Sequence, residues 1–557
     1  MDSEESVRIE ISDDPGSDWA SAEQALRARA RRDGGRPLFT DAPDRAEREL
    51  GAPRQLSYVE ADAIVDSLAR EFRDAGLSAG DVIAIQAPNT IETPLLLLAA
   101  WRASLVPCLL PLLWRLDEIH HAFSLVNPRA AVACTRYGDD EPAQTLGEAA
   151  AKHMSMRFVF AFGEHVPDGI TPLDDAFATP DVAERPGDPD TGSSPDQADQ
   201  AALITWAVSG RGPYPVVRTH SEILALSRLF GAHLKFRRSD IVLNTYPYTS
   251  VSALAGQLVA PLLAGCQVAL HLPFDFDVFV HQLEEQSITC AAVPAPVIAA
   301  LEERHNLRTG KLSLTRIGCV WPSPHAVKPG AGLFETPLPV FDIYNFGELA
   351  VILRERASGS DPSLLPLGKL FIPGDEESDT PVVETRVRGS VKSEDEQQVL
   401  KGTLTVRGSS VPSSTAIDVD APDNHVLRPD AHGFLDTGIG CYVDETLSNQ
   451  FRCKKSEDVI YHGGTVIAAS ELDRLYGEFS EFLDAAAFVI DDAVMGERIF
   501  AAVLPRPDQA PSLERLKAFL AERRVAPHKT PDQLVIVKTI PRSNDGTVLR
   551  DQILAQL

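Results

Sequence analysis

The stretch Val208 to His220, VSGRGPYPVVRTH, gathers residue types that could hold a phosphate. Glycines let the backbone turn tightly, a hydroxyl and unpaired N–H groups can donate, and an arginine adds charge. Ser209, Gly210 and Arg211 form that cluster, and His220 closes the stretch as a candidate catalytic side chain. Two features weaken the cradle. Pro213 and Pro215 have no N–H to offer, and the stretch holds no lysine. Phosphate binding and a plain strand-to-strand turn both remain open here.

Metal and thiol chemistry have less support. The seven cysteines are scattered without a CxxC pair, and most stand in apolar runs. There cysteine behaves as a small buried hydrophobe. Wide spacing and an odd number point to a reducing compartment and no metal site. Cys453 alone has polar company, in FRCKKSED.

The elements that must position these residues are those of a large α/β chain. Its 557 residues suffice for one large domain and a smaller one. A formal net charge of −28 repels polyanions, so nucleic acid and anionic membrane are not expected partners. The acidic start MDSEESVRIEISDD has no apolar signal core, and a cytoplasmic protein is expected. The most apolar region, PLLLLAAWRASLVPCLLPLLW, is broken by Arg102, Pro107 and Pro111. It reads as a buried helix and strand, not a membrane span.

LSYVEADAIVDSLAREFRDAGL predicts an amphipathic helix, with a Ser57–Glu60 capping box, a stripe of Ile64, Leu68 and Phe72, and a stop at Gly76. DVIAIQAP, RAAVACTR and MRFVFAF read as strands, and IVLNTYP, QVALHLP and CAAVPAP as three more. Helical patterns between them imply parallel sheets covered by helices. Residues 179–200, rich in Pro, Asp, Gly and Ser, read as a mobile linker. Between Pro373 and Ser414, VETRVRGSV and GTLTVRG flank the charged turn KSEDEQQ and predict a small antiparallel subdomain. The last hundred residues read as a compact α+β unit. The expected division is an extension over 1–36, a large domain over 37–451 and a small domain over 452–557.

In this order the pieces resemble the adenylate-forming family of acyl-CoA synthetases, aryl-acid ligases, luciferases and adenylation domains. The likeness runs from about Pro37 to the C-terminus. It rests on LSYVEAD, QAPN, ALITWAVSGRGPYPVVRTH, APLLAGCQVAL, IYNFGEL, GTLTVRG, GFLDTGIGCYVDE, VIYHGGTVIAASELD and IPRSNDGTVLR. The resemblance implies an α/β large domain with a β subdomain and a mobile α+β small domain. It also implies ATP with magnesium, a carboxylate, an acyl-AMP intermediate and transfer to a thiol such as CoA. The hinge between domains is expected near Lys454 and Lys455.

Matched motif by motif, the chain departs from the family where ATP is handled. The phosphate loop is shortened, and its lysine position reads Tyr214. In IYNFGEL, Tyr344 matches the adenine-stacking aromatic and Glu348 the magnesium-binding glutamate. Gly347 replaces a threonine. Bulky Trp321 stands in a turn where the family has glycines that admit adenine and acyl group. Thr437 and Gly438 match the ribose motif, but Ile439 replaces its aspartate. Arg452 matches an arginine before the hinge. Thr547 stands where a lysine bridges carboxylate and α-phosphate, a loss worth on the order of a hundredfold in rate. Thr249 and Ser250 fall near the acyl pocket, with Trp321 at its edge. Gly463 and Gly464 match the turn that reaches the thiol tunnel.

Three functions follow. The first is an adenylate-forming-fold protein impaired in adenylation, which handles an acyl group or a pre-activated acyl donor without ATP. The second is an active carboxylate ligase with rebuilt ATP contacts. The third is a non-catalytic partner of a carrier protein or a sister biosynthetic enzyme.

Overall fold

The computed structural model describes residues 19–178, 198–209, 212–271, 273–305, 307, 311–321, 336–357, 360–375, 378–394, 397–413, 428–444, 449–456, 458–462, 465–492, 496–543 and 546–556. Most of the 179–200 linker lies outside them.

Two parallel sheets form the body of the large domain. The first runs Thr171–Pro172, Phe158–Phe162, Ala130–Cys134, Val82–Gln86, Val106–Leu109, Ala201–Ser209 and Gly212–Thr219. Its last two strands form an antiparallel hairpin at the edge. The second sheet has eight strands, with Arg316–Trp321 between Cys290–Pro294 and Val340–Phe346. The central strands are unbroken apolar runs because helices cover both faces. The helix Tyr58–Asp74 begins with the expected capping box, and Ile64, Leu68 and Phe72 are fully buried. Gly76 follows it at φ +95°, a left-handed stop.

Two boundaries differ from the sequence reading. Residues 22–36, taken as part of an extension, fold into the large domain. The helix Ala22–Asp33 buries Ala25 and Leu26 in the same core as Phe39 and Phe72. The β subdomain is also larger than expected, a six-stranded sheet between Leu365 and Cys453. Its strands Val383–Glu394 and Gln397–Arg407 pair along their whole length. Most of the charged run KSEDEQQ is therefore strand. A polar run reads as a turn because its composition is that of a loop.

The small domain has its own five-strand sheet, including Val459–His462, Thr465–Ala468, Phe482–Asp492 and Gly496–Pro505. It packs a separate apolar core around Leu472, Tyr476 and Leu516. The crossing into it divides between two lysines. The Lys454 N–H donates to the Gly440 carbonyl of the large domain at 2.7 Å, whereas the Lys455 ammonium pairs with Glu497 of the small domain.

Candidate functional site

The stretch where the resemblance places a phosphate loop is a hairpin. Ser209 pairs directly with Gly212, and the Ser209 hydroxyl donates to the Gly212 carbonyl at 3.1 Å. Only Gly210 and Arg211 remain between them, and both lie outside the described residues. Pro213 and Pro215 pair with Val208 and Trp206 along an edge strand, the one sheet position that tolerates proline. Tyr214, at the lysine position, packs against the large-domain core. His220 opens the helix that follows. It is buried and meets Trp101 edge-on at 5.7 Å, and burial lowers its pKa to about 4. Its ring thus packs inside the large domain against Trp101.

Tyr344 is sealed. Trp321 and Tyr344 are register partners on adjacent parallel strands, so their rings share one face and stack within 11° at 6.4 Å. The Arg354 guanidinium lies over the Tyr344 ring at 5.5 Å, and its Nη2 donates to the Tyr344 hydroxyl at 2.9 Å. That hydroxyl donates in turn to the Pro362 carbonyl at 2.8 Å. Tyr344 has no exposed surface. The Trp321 indole N–H donates to the buried Asp342 at 2.8 Å, so the tryptophan is itself anchored.

Glu348 follows on the turn after this strand. It accepts the Val251 N–H at 2.9 Å. Burial raises its pKa to about 7, with the Val251 N–H and the Arg218 charge acting against it. Arg218 is fully buried and donates to the main-chain carbonyls of Glu348, Leu349 and Ser410. It ties the Glu348 turn to the β subdomain. The sequence holds a signal for it that the motif match passes over: a charged residue inside the apolar strand PVVRT.

At the ribose motif the strands bulge. Thr403 pairs with Gly440 and Thr405 with Asp436, leaving Thr437, Gly438 and Ile439 opposite Leu404. The Thr437 hydroxyl donates to the Leu404 carbonyl at 2.8 Å, and Gly438 turns at φ +70°. Ile439, in place of the aspartate, packs against the core. Asp436 pairs with Arg388. Arg452 bonds Ser363 at 2.9 Å and Asp361 at 3.1 Å, on the same loop that receives the Tyr344 hydroxyl.

A model of the AMP-binding enzyme family matches residues 26–413. This chain belongs to that family. It is 23% identical to the medium-chain fatty-acid–CoA ligase of Escherichia coli K12, over 90% of this chain and 86% of that protein. It is 24% identical to the 2,3-dihydroxybenzoate-AMP ligase of Bacillus subtilis 168, over 90% and 89%. Among solved structures it resembles a Bacillus subtilis o-succinylbenzoate CoA synthetase double mutant bound to a product analogue, with a TM-score of 0.68 at 17% identity, covering 95% and 97% of the two chains. An amide bond synthetase from Marinactinospora thermotolerans gives the same TM-score and identity, with coverage of 96% and 99%.

In this AMP-binding family member a cavity of about 10 Å³, room for about one water, lies beside the expected acyl pocket. Tyr246, Ser252, Gly256, Gln257, Gly318 and Val320 help line it. Thr249, Ser250 and Trp321 do not, although each stands within three residues of a lining one. The helix that follows Ser250 passes through a π-helical turn, Ala255–Val259, which carries Gly256 and Gln257 into the cavity wall. The Tyr246 hydroxyl is buried there without a hydrogen-bond partner among the described residues.

The small domain presents one side to the hairpin. Strand Thr465–Ala468 lies alongside Ala201–Ser209, and the Glu471 carboxylate comes within 3.8 Å of the space beside Gly212. Gly463 and Gly464, which precede that strand in the chain, lie outside the described residues. Lys529, buried between the domains, bonds Glu118 of the large domain at 2.8 Å and Glu471 of the small one at 2.7 Å. The Ala526 N–H also donates to Glu118, at 3.1 Å. Thr547 sits on a turn held within the small domain: Arg542 donates to the Gly546 carbonyl and pairs with Asp484. No helix among the described residues is long and apolar enough to cross a membrane.

Proposed function

We propose that this AMP-binding family member is impaired in carboxylate adenylation and handles an acyl group, or a pre-activated acyl donor, without ATP. One observation carries the reading: the Tyr344 ring, where the resemblance places adenine stacking, is closed by Trp321 and Arg354 and has no exposed surface. The tight Ser209–Gly212 pairing, the internal bond of Thr437 and the packing of Ile439 support it. Magnesium fits these residues poorly. Burial raises the Glu348 carboxyl to about 7, which disfavours its charged form, and the side chain already accepts the Val251 N–H; no cluster of three or more acidic, His or Cys side chains among the described residues could hold an ion.

Transfer from an activated donor asks the protein for positioning more than for charge neutralisation. The side of the small domain that carries Thr465–Ala468 and Glu471 faces the hairpin, an approach that would serve an incoming thiol or amine. The test supplies synthetic acyl-AMP or acyl thioester with a panel of thiols and amines, beside carboxylate-dependent exchange of pyrophosphate into ATP. Transfer without ATP, slowed by Gly464→Trp, is the expected result. Robust exchange with any acid, lost in Glu348→Ala, would establish an active ligase instead. The small cavity beside Tyr246 favours a second reading, a non-catalytic partner of a biosynthetic enzyme or carrier protein. Failure of both assays with every pair would leave that reading.

A further inference from the structure

Cys441 and Cys453 stand directly opposite each other on the antiparallel strands Leu435–Asp444 and Gln450–Cys453. The hydrogen bond from the Lys454 N–H to the Gly440 carbonyl makes the flanking pair a bonded one. The two cysteines therefore occupy a non-hydrogen-bonded pair, where Cα atoms lie about 4.5 Å apart and side chains share a face. Disulfides accept Cα separations of about 4.4–6.8 Å, so the backbone already satisfies the bond. Cys441 is buried, whereas Cys453 is partly exposed at the rim, and both are free thiols. Cys453 is also the last residue of its strand before the Lys454–Lys455 crossing.

We propose that Cys441 and Cys453 are a redox modification site, closing to a reversible disulfide that staples the end of the large domain where the chain leaves for the small one. The oxidant is a low-molecular-weight disulfide such as glutathione disulfide. The Cys453 sulfur, on the less buried of the two residues, attacks one glutathione sulfur as thiolate and expels the other glutathione as a thiol. The Cys441 sulfur then displaces the second glutathione from Cys453. One glutathione disulfide is reduced to two thiols, the protein loses two electrons, and the two thiol protons leave with the glutathiones. Burial pushes the Cys441 thiol up to about 12 and the Cys453 thiol further still, and the closeness of Cys441 adds to the effect at Cys453. Thiolate is scarce at neutral pH, so closure is slow and acts as a lock rather than a rapid sensor.

The test incubates the reduced full-length protein with glutathione disulfide and maps disulfides by mass spectrometry without reduction. A single link between 441 and 453, reversed by dithiothreitol, is expected. Trypsin should then cut after Lys454 and Lys455 several-fold more slowly in the oxidised protein, because the strand end can no longer peel away. Cys441→Ser should leave a stable glutathione adduct on Cys453, and Cys441→Ala repeats the test if the serine disturbs folding. A link between any other two cysteines, no link at all, or equal trypsin rates in the two redox states overturns the proposal.

Discussion

Glu348→Gln should remove a pH dependence from the stability of this protein. The Glu348 carboxyl is raised from 4.5 to about 7, chiefly by burial. Its folded form thus holds a proton that the unfolded chain has already released. Between these two values the folded state binds more protons, so stability is greatest below the unfolded value and falls as pH rises toward the folded one. Every pH unit between the two values corresponds to about 1.4 kcal/mol, which puts the whole loss on the order of 3 kcal/mol. Glutamine cannot ionise, and its Oε1 can still accept the Val251 N–H. Urea unfolding at a series of values from about pH 5 to about pH 8 should show the variant gaining on the wild type by up to roughly 3 kcal/mol. Asp41 and Asp473 are also raised, each to about 6. They act in both proteins, so the difference between the two curves isolates Glu348. A difference that stays constant across the series would refute a buried, proton-holding Glu348. The same proton probes the ATP question. Magnesium-ATP bound through this carboxylate would expel it, and calorimetry in buffers of unlike ionisation heat would register the release.

Lys529→Met leaves Glu118 and Glu471 facing each other without their cation, a loss of about 3–5 kcal/mol for a broken buried pair. Scattering should show the domains separating, and adding Glu118→Gln and Glu471→Gln should restore much of the contact. Trp321→Ala should cost about 3–5 kcal/mol in urea unfolding and uncover the Tyr344 face. Under the proposed function it gains measurable AMP binding, and equal AMP affinity in both proteins would count against the seal. Thr547→Lys should raise pyrophosphate exchange little or not at all, and family-like turnover from that change alone would contradict the proposed impairment.

What the sequence made legible follows its periodicity. The helix Tyr58–Asp74 was readable because its cap, stripe and stop all agree. The buried parallel strands were readable because both faces are apolar. The two strands of the 383–407 ribbon were readable at their outer ends, but the charged run KSEDEQQ between them read as a turn because its polar composition is that of a loop. At the candidate site, the family resemblance singled out Tyr344 and Glu348 but could not show their partners. The stack of Trp321 on Tyr344 depends on the register of two strands that are about twenty residues apart in the chain. Lys529 carried no local signal either. Its partners, Glu118 and Glu471, lie in different domains, and only their docking makes a buried triad of three ordinary surface-type residues.

The positions where the resemblance places nucleotide contacts share a physical pattern that bears on the proposed impairment. At each one the group that could have met a nucleotide is satisfied from within the protein. Ser209 bonds across its own hairpin, the Tyr344 hydroxyl bonds Pro362, Thr437 bonds Leu404, and Arg452 bonds Asp361 and Ser363. A site waiting for ligand leaves such groups open, because each internal partner must be broken before the ligand can replace it. An internal hydrogen bond contributes about 1 kcal/mol net, so the five of them weigh against nucleotide binding by roughly 5 kcal/mol, several thousandfold in affinity. Returning one charged residue at position 547 leaves all five in place. The Tyr246 hydroxyl differs: it is buried beside the small cavity without a hydrogen-bond partner among the described residues. A polar group of that kind, on the side where the resemblance places the acyl group, has no internal bond to break before a ligand can meet it.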